Sequence, residues 1–144
     1  VPVIRVSAVP NVLLVTDADW IHDEVDAALA DADTTVLRVR SGREAIPAVA
    51  EHEPVLVILD LQIGNMGGFA TCMNLRQEEG AGRLKTRPIL MLLDRHDDLF
   101  LAHRSDADGW LIKPVDAFRL RKAAEALRTG YTWFEGAEAP APAG

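Results

Sequence analysis

Short, unbroken apolar runs separated by polar or glycine-bearing stretches set the pattern of this chain. Val55–Leu59, five apolar residues of which three are β-branched, follows Pro54 and ends on Asp60. Pro54 bars a helix from running through this point and biases Glu53 toward an extended shape. A run this short without polar alternation predicts a strand buried on both faces. Asn11–Thr16 repeats the pattern and ends at Asp17; Pro88–Leu93 and Trp110–Ile112 repeat it again, the last closing on Lys113-Pro114. Thr34–Arg40 alternates in part, which predicts a less buried strand.

Helical periodicity fills the gaps. Ile21, Val25, Ala28 and Leu29 are spaced near 3.6 behind Asp19, which is expected to cap their helix. Ser41 and Glu44 have the spacing of a capping box before a helix over Ala45–Glu51, in which Pro47 is expected to force a kink or a shifted start. Further helices are expected over Phe69–Glu79, over a short stretch carrying Leu99, Phe100 and Leu101, and over Asp116–Thr129, which Gly130 stops. Strand then helix, five times over, implies a parallel sheet covered on both faces: α/β, a doubly wound (βα)5 sandwich. Residues 1–10 are expected to be an extended lead-in, 11–129 the domain, and 130–144 a flexible Pro/Ala/Gly tail in which Trp133 and Phe134 stand out as two aromatics expected to dock back on the domain, with docking on a partner as the alternative.

Composition narrows the classes. With 144 residues, 49% hydrophobic, one domain with its own core is expected. A formal net charge of -7 argues against nucleic-acid binding through the overall field. No apolar run is long enough for a membrane span, and the lone Cys72 excludes an internal disulfide, which suits a cytoplasmic setting. His22, His52, His96 and His103 have no ligand spacing with Cys72, so all four are expected at the surface and Cys72 in the core.

Three charged residues fall at strand ends: Asp17, Asp60 and Lys113. In a doubly wound sheet those ends share one edge, and ligands bind in the crevice there. Two carboxylates side by side repel unless a cation joins them. Mg²⁺ accepts one or two carboxylates with substrate phosphate, and a lysine supplies a point charge for a phosphate oxygen. The set reads as phosphoryl chemistry with Asp60 as acceptor carboxylate. The competing reading is a structural ion pair in which Lys113 merely neutralises two acids.

Three segments together resemble the receiver domain of bacterial two-component response regulators over about residues 11–129: VLLVTD with its terminal acid, VLVILDLQIGNMGG, and ADGWLIKP. The resemblance implies a flavodoxin-like five-stranded parallel sheet in the order 2-1-3-4-5, Asp60 as phosphoacceptor, Lys113 as its conserved-type lysine, and a cis bond to Pro114. It also implies Mg²⁺ at Asp17, Asp60 and the backbone carbonyl of Gln62. Several positions depart from the family pattern. Thr16 stands where a second acid is usual, so weak metal binding is expected. Leu93 stands where a hydroxyl residue bonds the phosphoryl group, and Asp94 where a small residue is usual. Gly64 replaces a proline, Gly67 replaces the Asp of the Met-Asp-Gly loop, and Trp110 occupies the aromatic switch position, too bulky for an inward site.

The resemblance implies a sensor histidine kinase as phosphodonor. With no output domain recognised, the expected output is a separate effector protein, without a DNA-binding domain or a membrane partner, and with a homodimer through helix 4, strand 5 and helix 5 as a further option. Such a single-domain regulator is a phosphoacceptor and not an enzyme. Two other readings stand beside it: a pseudo-receiver that binds proteins without phosphorylation, favoured by Thr16, Leu93 and Asp94, and a Mg²⁺-dependent phosphatase of the haloacid-dehalogenase type, whose Asp-x-Asp opening Asp17-Ala18-Asp19 imitates. The basic residues of the last helix, Arg119, Arg121, Lys122 and Arg128, read as a solvated face or equally as a surface for an acidic partner.

Overall fold

The structure is a computed structural model that describes residues 10–63 and 67–136. Each apolar run becomes a strand: β1 (Asn11–Val15), β2 (Thr35–Val39), β3 (Leu56–Asp60), β4 (Ile89–Leu93) and β5 (Gly109–Ile112). They alternate with α1 (Asp19–Leu29), α2 (Ala45–His52), α3 (Gly68–Gly80), α4 (Leu99–Arg104) and α5 (Ala117–Arg128). A two-residue strand, β6 (Trp133–Phe134), completes a parallel sheet in the order β2-β1-β3-β4-β5-β6. The doubly wound α/β fold expected from the sequence is therefore present, with one strand more than the five expected.

Strand period explains the two-sided core. Along β3, Leu56 and Ile58 pack under α1 and α5, while Val57 and Leu59 pack with α2, α3 and α4. β1 and β4 sort in the same way, with Leu14 and Leu92 on the first face and Leu13 and Met91 on the second. β3 and β4 are buried throughout, whereas β2, at the sheet edge, is half-buried, as its partial alternation predicts.

Local departures have local causes. Ala18, not Asp19, is the N-cap of α1. Asp19 opens the helix, and its carboxylate is taken by Arg38 at 2.8 Å and Arg40 at 3.4 Å. The hydrogen bond from Arg38 holds it below the usual carboxylate range. Pro47 kinks nothing: it falls in the first turn of α2, where its missing N–H deletes no bond within the helix. A 3-10 turn over Gly42–Glu44 precedes that helix, and Ser41 Oγ donates to the Glu44 side chain at 2.9 Å instead of capping a backbone N–H. Glu53 is not extended before Pro54. It closes α2 in the left-handed region at φ 44°, its N–H bonded to Val49 O at 3.0 Å, and so reverses the chain into β3.

The tail departs furthest. Trp133 and Phe134 dock on the domain as expected, but as a strand: they lie along β5, with Gly109 opposite Trp133 and Trp110 opposite Phe134, so this part of the tail does not trail from the domain. Gly109 is required there, because a Cβ would meet Trp133 O at 2.6 Å. Residues 1–9, 64–66 and 137–144, which include most of the lead-in, Gly64 of the glycine loop and the end of the tail, lie outside the described residues. Gly68 at the start of α3 approaches Asp60 so closely that a Cβ would sit 2.7 Å from its carbonyl oxygen.

Candidate functional site

β3 delivers Asp60 to the carboxyl edge of the sheet with 1% of its surface exposed. A carboxylate this buried needs donors on both oxygens. Oδ2 accepts the Thr16 hydroxyl at 2.7 Å, and Oδ1 accepts the Gln62 backbone N–H at 3.0 Å. Lys113 Nζ forms an ion pair with Oδ1. Thr16 is itself fully buried at the end of β1, and its oxygen also accepts the Ala18 N–H at 3.1 Å. One hydroxyl thus ties the start of α1 to the acid on the neighbouring strand.

Lys113 serves two acids. Its Nζ lies 2.7 Å from Asp94 Oδ1, and the Gln62 side-chain amide donates to Asp94 Oδ2 at 2.7 Å. The lysine side chain is 11% exposed and Asp94 24%, so the bridge lies at the mouth of the site. Asp94 is therefore a partner of Lys113 in this arrangement and not merely a repulsive charge. Its own backbone N–H is held by Asp98 at 3.1 Å, which also receives the Arg95 N–H and so opens the 3-10 turn before α4. Leu93, just before it, is buried at the end of β4 and has no hydroxyl to offer.

Asp17 does not join the cluster. Its side chain is 64% exposed and pairs with Arg40 at 3.8 Å. Side chains alternate along a strand, so turning Thr16 inward turns the next residue outward. Asp17 and Asp19 thus both face arginines from the β2 side, which leaves the Asp-x-Asp arrangement of the phosphatase reading unassembled. Among the described residues no group of three or more His, Cys, Asp or Glu stands ready to hold a metal. Of the groups expected to take Mg²⁺, the structure holds Asp60 against the Gln62 backbone N–H and turns Asp17 away to Arg40, so one carboxylate of the expected pair is in place.

Trp110 fits the inward position that its size was expected to forbid. It is 1% exposed, its Nε1 donates to Glu135 O at 2.9 Å, and Phe134 and His103 cover it with ring centroids 4.4 and 4.8 Å away. His103 and His96 are exposed as expected, His103 packing its ring on Trp110 and His96 meeting Gly136 O at 3.0 Å. Cys72 is buried as expected. Desolvation pushes its thiol up to about 11, and its Sγ lies 3.1 Å from Ser105 O. The Lys113–Pro114 bond is cis. The sequence offered no signal for the Asp94–Lys113 bridge beyond an acid near a lysine's strand, and none for the hydrogen bond that the Thr16 hydroxyl gives Asp60.

An acid and a lysine joined at the switch point of a parallel sheet in this order place the molecule among the CheY-like doubly wound domains. More narrowly, the chain belongs to the response regulator receiver domain family, whose model matches residues 12–125. It is 30% identical over 108 residues to the transcriptional regulatory protein AfsQ1 of Streptomyces coelicolor, covering 74% of this chain and 45% of that protein. It is 37% identical over 99 residues to the DNA-binding response regulator MtrA of Mycobacterium tuberculosis, covering 62% and 41%. Chemotaxis protein CheY4 of Vibrio cholerae superposes with a TM-score of 0.72 at 29% identity, covering 83% of this chain and 99% of that one.

The chain thus spans less than half the length of these curated relatives. That finding overturns the expectation of a separate effector protein and no DNA-binding domain, because MtrA is a DNA-binding regulator. The scheme of sensor kinase, separate effector and homodimer through helix 4, strand 5 and helix 5 gives way with it. The edge of β5 in that scheme is in any case covered by β6. Among the described residues no helix is long and apolar enough to cross a membrane.

Removing the lysine tests this electrostatic arrangement. Lys113→Met leaves two carboxylates facing each other without a cation, and it should lower the unfolding free energy by roughly 3–5 kcal/mol, the usual cost of breaking a buried pair. Adding Asp60→Asn should recover part of that loss. Chemical denaturation at pH 7 measures both; equal stability of Lys113→Met and wild type would refute the arrangement.

Proposed function

We propose that this receiver domain accepts a phosphoryl group on Asp60 as its part in two-component signalling, without substrate turnover. The observation that carries this reading is the buried Asp60 carboxylate paired with Lys113 at the open edge of the sheet. A carboxylate oxygen of Asp60 attacks the phosphorus of an acyl phosphate donor. The new O–P bond forms as the donor's P–O bond breaks, and the donor's carboxylate leaves with that electron pair, leaving an aspartyl phosphate at Asp60. Lys113 meets the incoming negative oxygens as a point charge, and the Gln62 and Thr16 donors keep the acceptor oriented. Mg²⁺ would supply further charge compensation, with Asp60 and the Gln62 carbonyl as ligands and Asp17 joining only if it turned back from Arg40. The one buried thiol, at Cys72, suits a reducing cytoplasm.

A specific observation favours a second reading, a pseudo-receiver that works as a protein-interaction module. Lys113 already holds Asp94, Leu93 offers the phosphoryl group no hydrogen bond, and Trp110 is already inward. A ligand moves a two-state equilibrium only by its differential affinity for the two states. The missing hydroxyl contact removes about 1.5–3 kcal/mol of that difference, the usual worth of a hydrogen bond to a charged group.

The two readings separate by experiment. Incubation with acetyl phosphate should label Asp60 alone, and Asp60→Asn should abolish the labelling, read by intact mass and peptide mapping. Label that persists in Asp60→Asn would defeat the acceptor assignment. Metal affinity follows from the neutral hydroxyl at Thr16: Thr16→Asp should tighten Mg²⁺ binding, measured by fluorescence or NMR titration, and equal affinities would contradict the proposed ligand set. Saturation with beryllofluoride should shift the amides around Phe100, Trp110 and Phe118 only slightly. Leu93→Thr combined with Asp94→Ala should enlarge that response, since it restores a hydroxyl and frees the lysine. Wholesale shifts in the wild type would exclude the pseudo-receiver reading.

A further inference from the structure

The segment after α5 reaches the acceptor site through the backbone of one residue. Gly130, at φ +91°, turns the chain, and Trp133 N–H bonds Asp108 O at 3.2 Å to start β6. Glu135 N–H then bonds Trp110 O at 3.1 Å, and there the backbone ladder stops. The next donor on β5, Ile112 N–H, is met by a side chain instead: it donates to Glu135 Oε1 at 3.0 Å. The Glu135 carboxylate thus replaces the missing rung beside the residue that precedes Lys113.

Arg119 of α5 closes the clamp. Its Nε donates to Glu135 Oε2 at 2.7 Å, and its Nη2 pairs with Oε1. The same guanidinium donates to Ile112 O at 2.9 Å and to Pro114 O at 2.7 Å. Both polar backbone groups of Ile112 and the carbonyl of Pro114 are held by this one ion pair, while Lys113 N–H is tied to Leu93 O at 2.8 Å. Gly136, at φ +73°, takes a left-handed backbone that favours glycine.

We infer that Glu135, acting with Arg119, is a positioning residue for Lys113: it sets the strand end from which Nζ reaches Asp60. The inference builds on the phosphoacceptor reading but concerns a residue beyond the matched receiver segment, which ends at residue 125. Residues that orient a functional group contribute through geometry, and loosening them costs function out of proportion to stability. The β6 segment is therefore part of the working site and not a passive tail.

NMR and a phosphoryl mimic test this on the full chain. In Glu135→Ala, the Lys113 side-chain signals should move toward those of a solvated lysine, and Ile112 amide exchange should accelerate. Beryllofluoride with Mg²⁺ should bind at least about tenfold more weakly, the range seen when an orienting partner is removed. Glu135→Gln keeps an acceptor for Ile112 N–H and should restore most of the affinity. Val49→Ala, a core truncation in α2 beneath β1, controls for lost stability and should leave the Lys113 signals and the affinity in place. Unmoved Lys113 signals in Glu135→Ala would overturn the inference, as would equal losses in Val49→Ala. If the wild type binds no beryllofluoride, the phosphoacceptor reading fails, and the Lys113 signals still decide the positioning role.

Discussion

The buried charge of Asp60 is the constraint that the upper edge of the sheet is built to satisfy. A carboxylate nearly sealed from water is costly unless each oxygen finds a donor and the charge a counterion. β1 supplies a hydroxyl from Thr16, the chain just after β3 supplies a backbone N–H at Gln62, and β5 supplies the Lys113 ammonium. Three of the parallel strands thus converge on one side chain. This is possible only because β1 and β4 flank β3, and β5 lies one strand beyond. The strand order and the chemistry of the site are one geometric fact.

Asp94 changes what that site does. One ammonium now neutralises two carboxylates, and the Gln62 amide braces the second of them. A phosphoryl group on Asp60 therefore competes with a resident anion for the same cation. Interaction between charges at this distance is worth several kcal/mol in partly buried surroundings, so the competition is not negligible. The loss of the strand-end hydroxyl at Leu93 works in the same direction. Both changes reduce the energy by which phosphorylation can favour one conformation, and the already buried Trp110 leaves less movement for it to drive.

The sequence made the five main strands and the helices between them legible because their burial is continuous and their lengths are ordinary. It also made Asp60 and Lys113 legible, since a charge that ends an apolar run has few roles. Side-chain direction was harder. Thr16 reads as a missing acid, and Asp17 as the surviving one, until the alternation of the strand end turns the first inward and the second out to Arg40. Asp94 reads as repulsion until the path of the β4–α4 loop sets it against Lys113. Glu53 reads as extended before proline until the closure of α2 asks for a left-handed residue. In each case the missing information is a direction in space that no local pattern encodes.

The sixth strand shows the same limit from the other side. Trp133 and Phe134 read as aromatics that dock back on the domain, but two residues carry no period that names the edge they pair with. What recruits them is tertiary: an exposed edge on β5, a glycine at 109 that lets a backbone come close, and a large aromatic at 110 that needs cover. Phe134 covers the ring face, Glu135 O takes the indole N–H, and the Glu135 carboxylate continues along the edge to Ile112. A smaller aromatic at 110 without an indole N–H would remove the first two reasons for docking. The backbone bonds from Trp133 to Asp108 and from Glu135 to Trp110 and the Glu135–Arg119 pair would then hold the segment, the pair exposed to screening by salt. The bulk of Trp110 and the docked strand are thus two halves of one packing solution, and that solution ends on the backbone of the residue before Lys113.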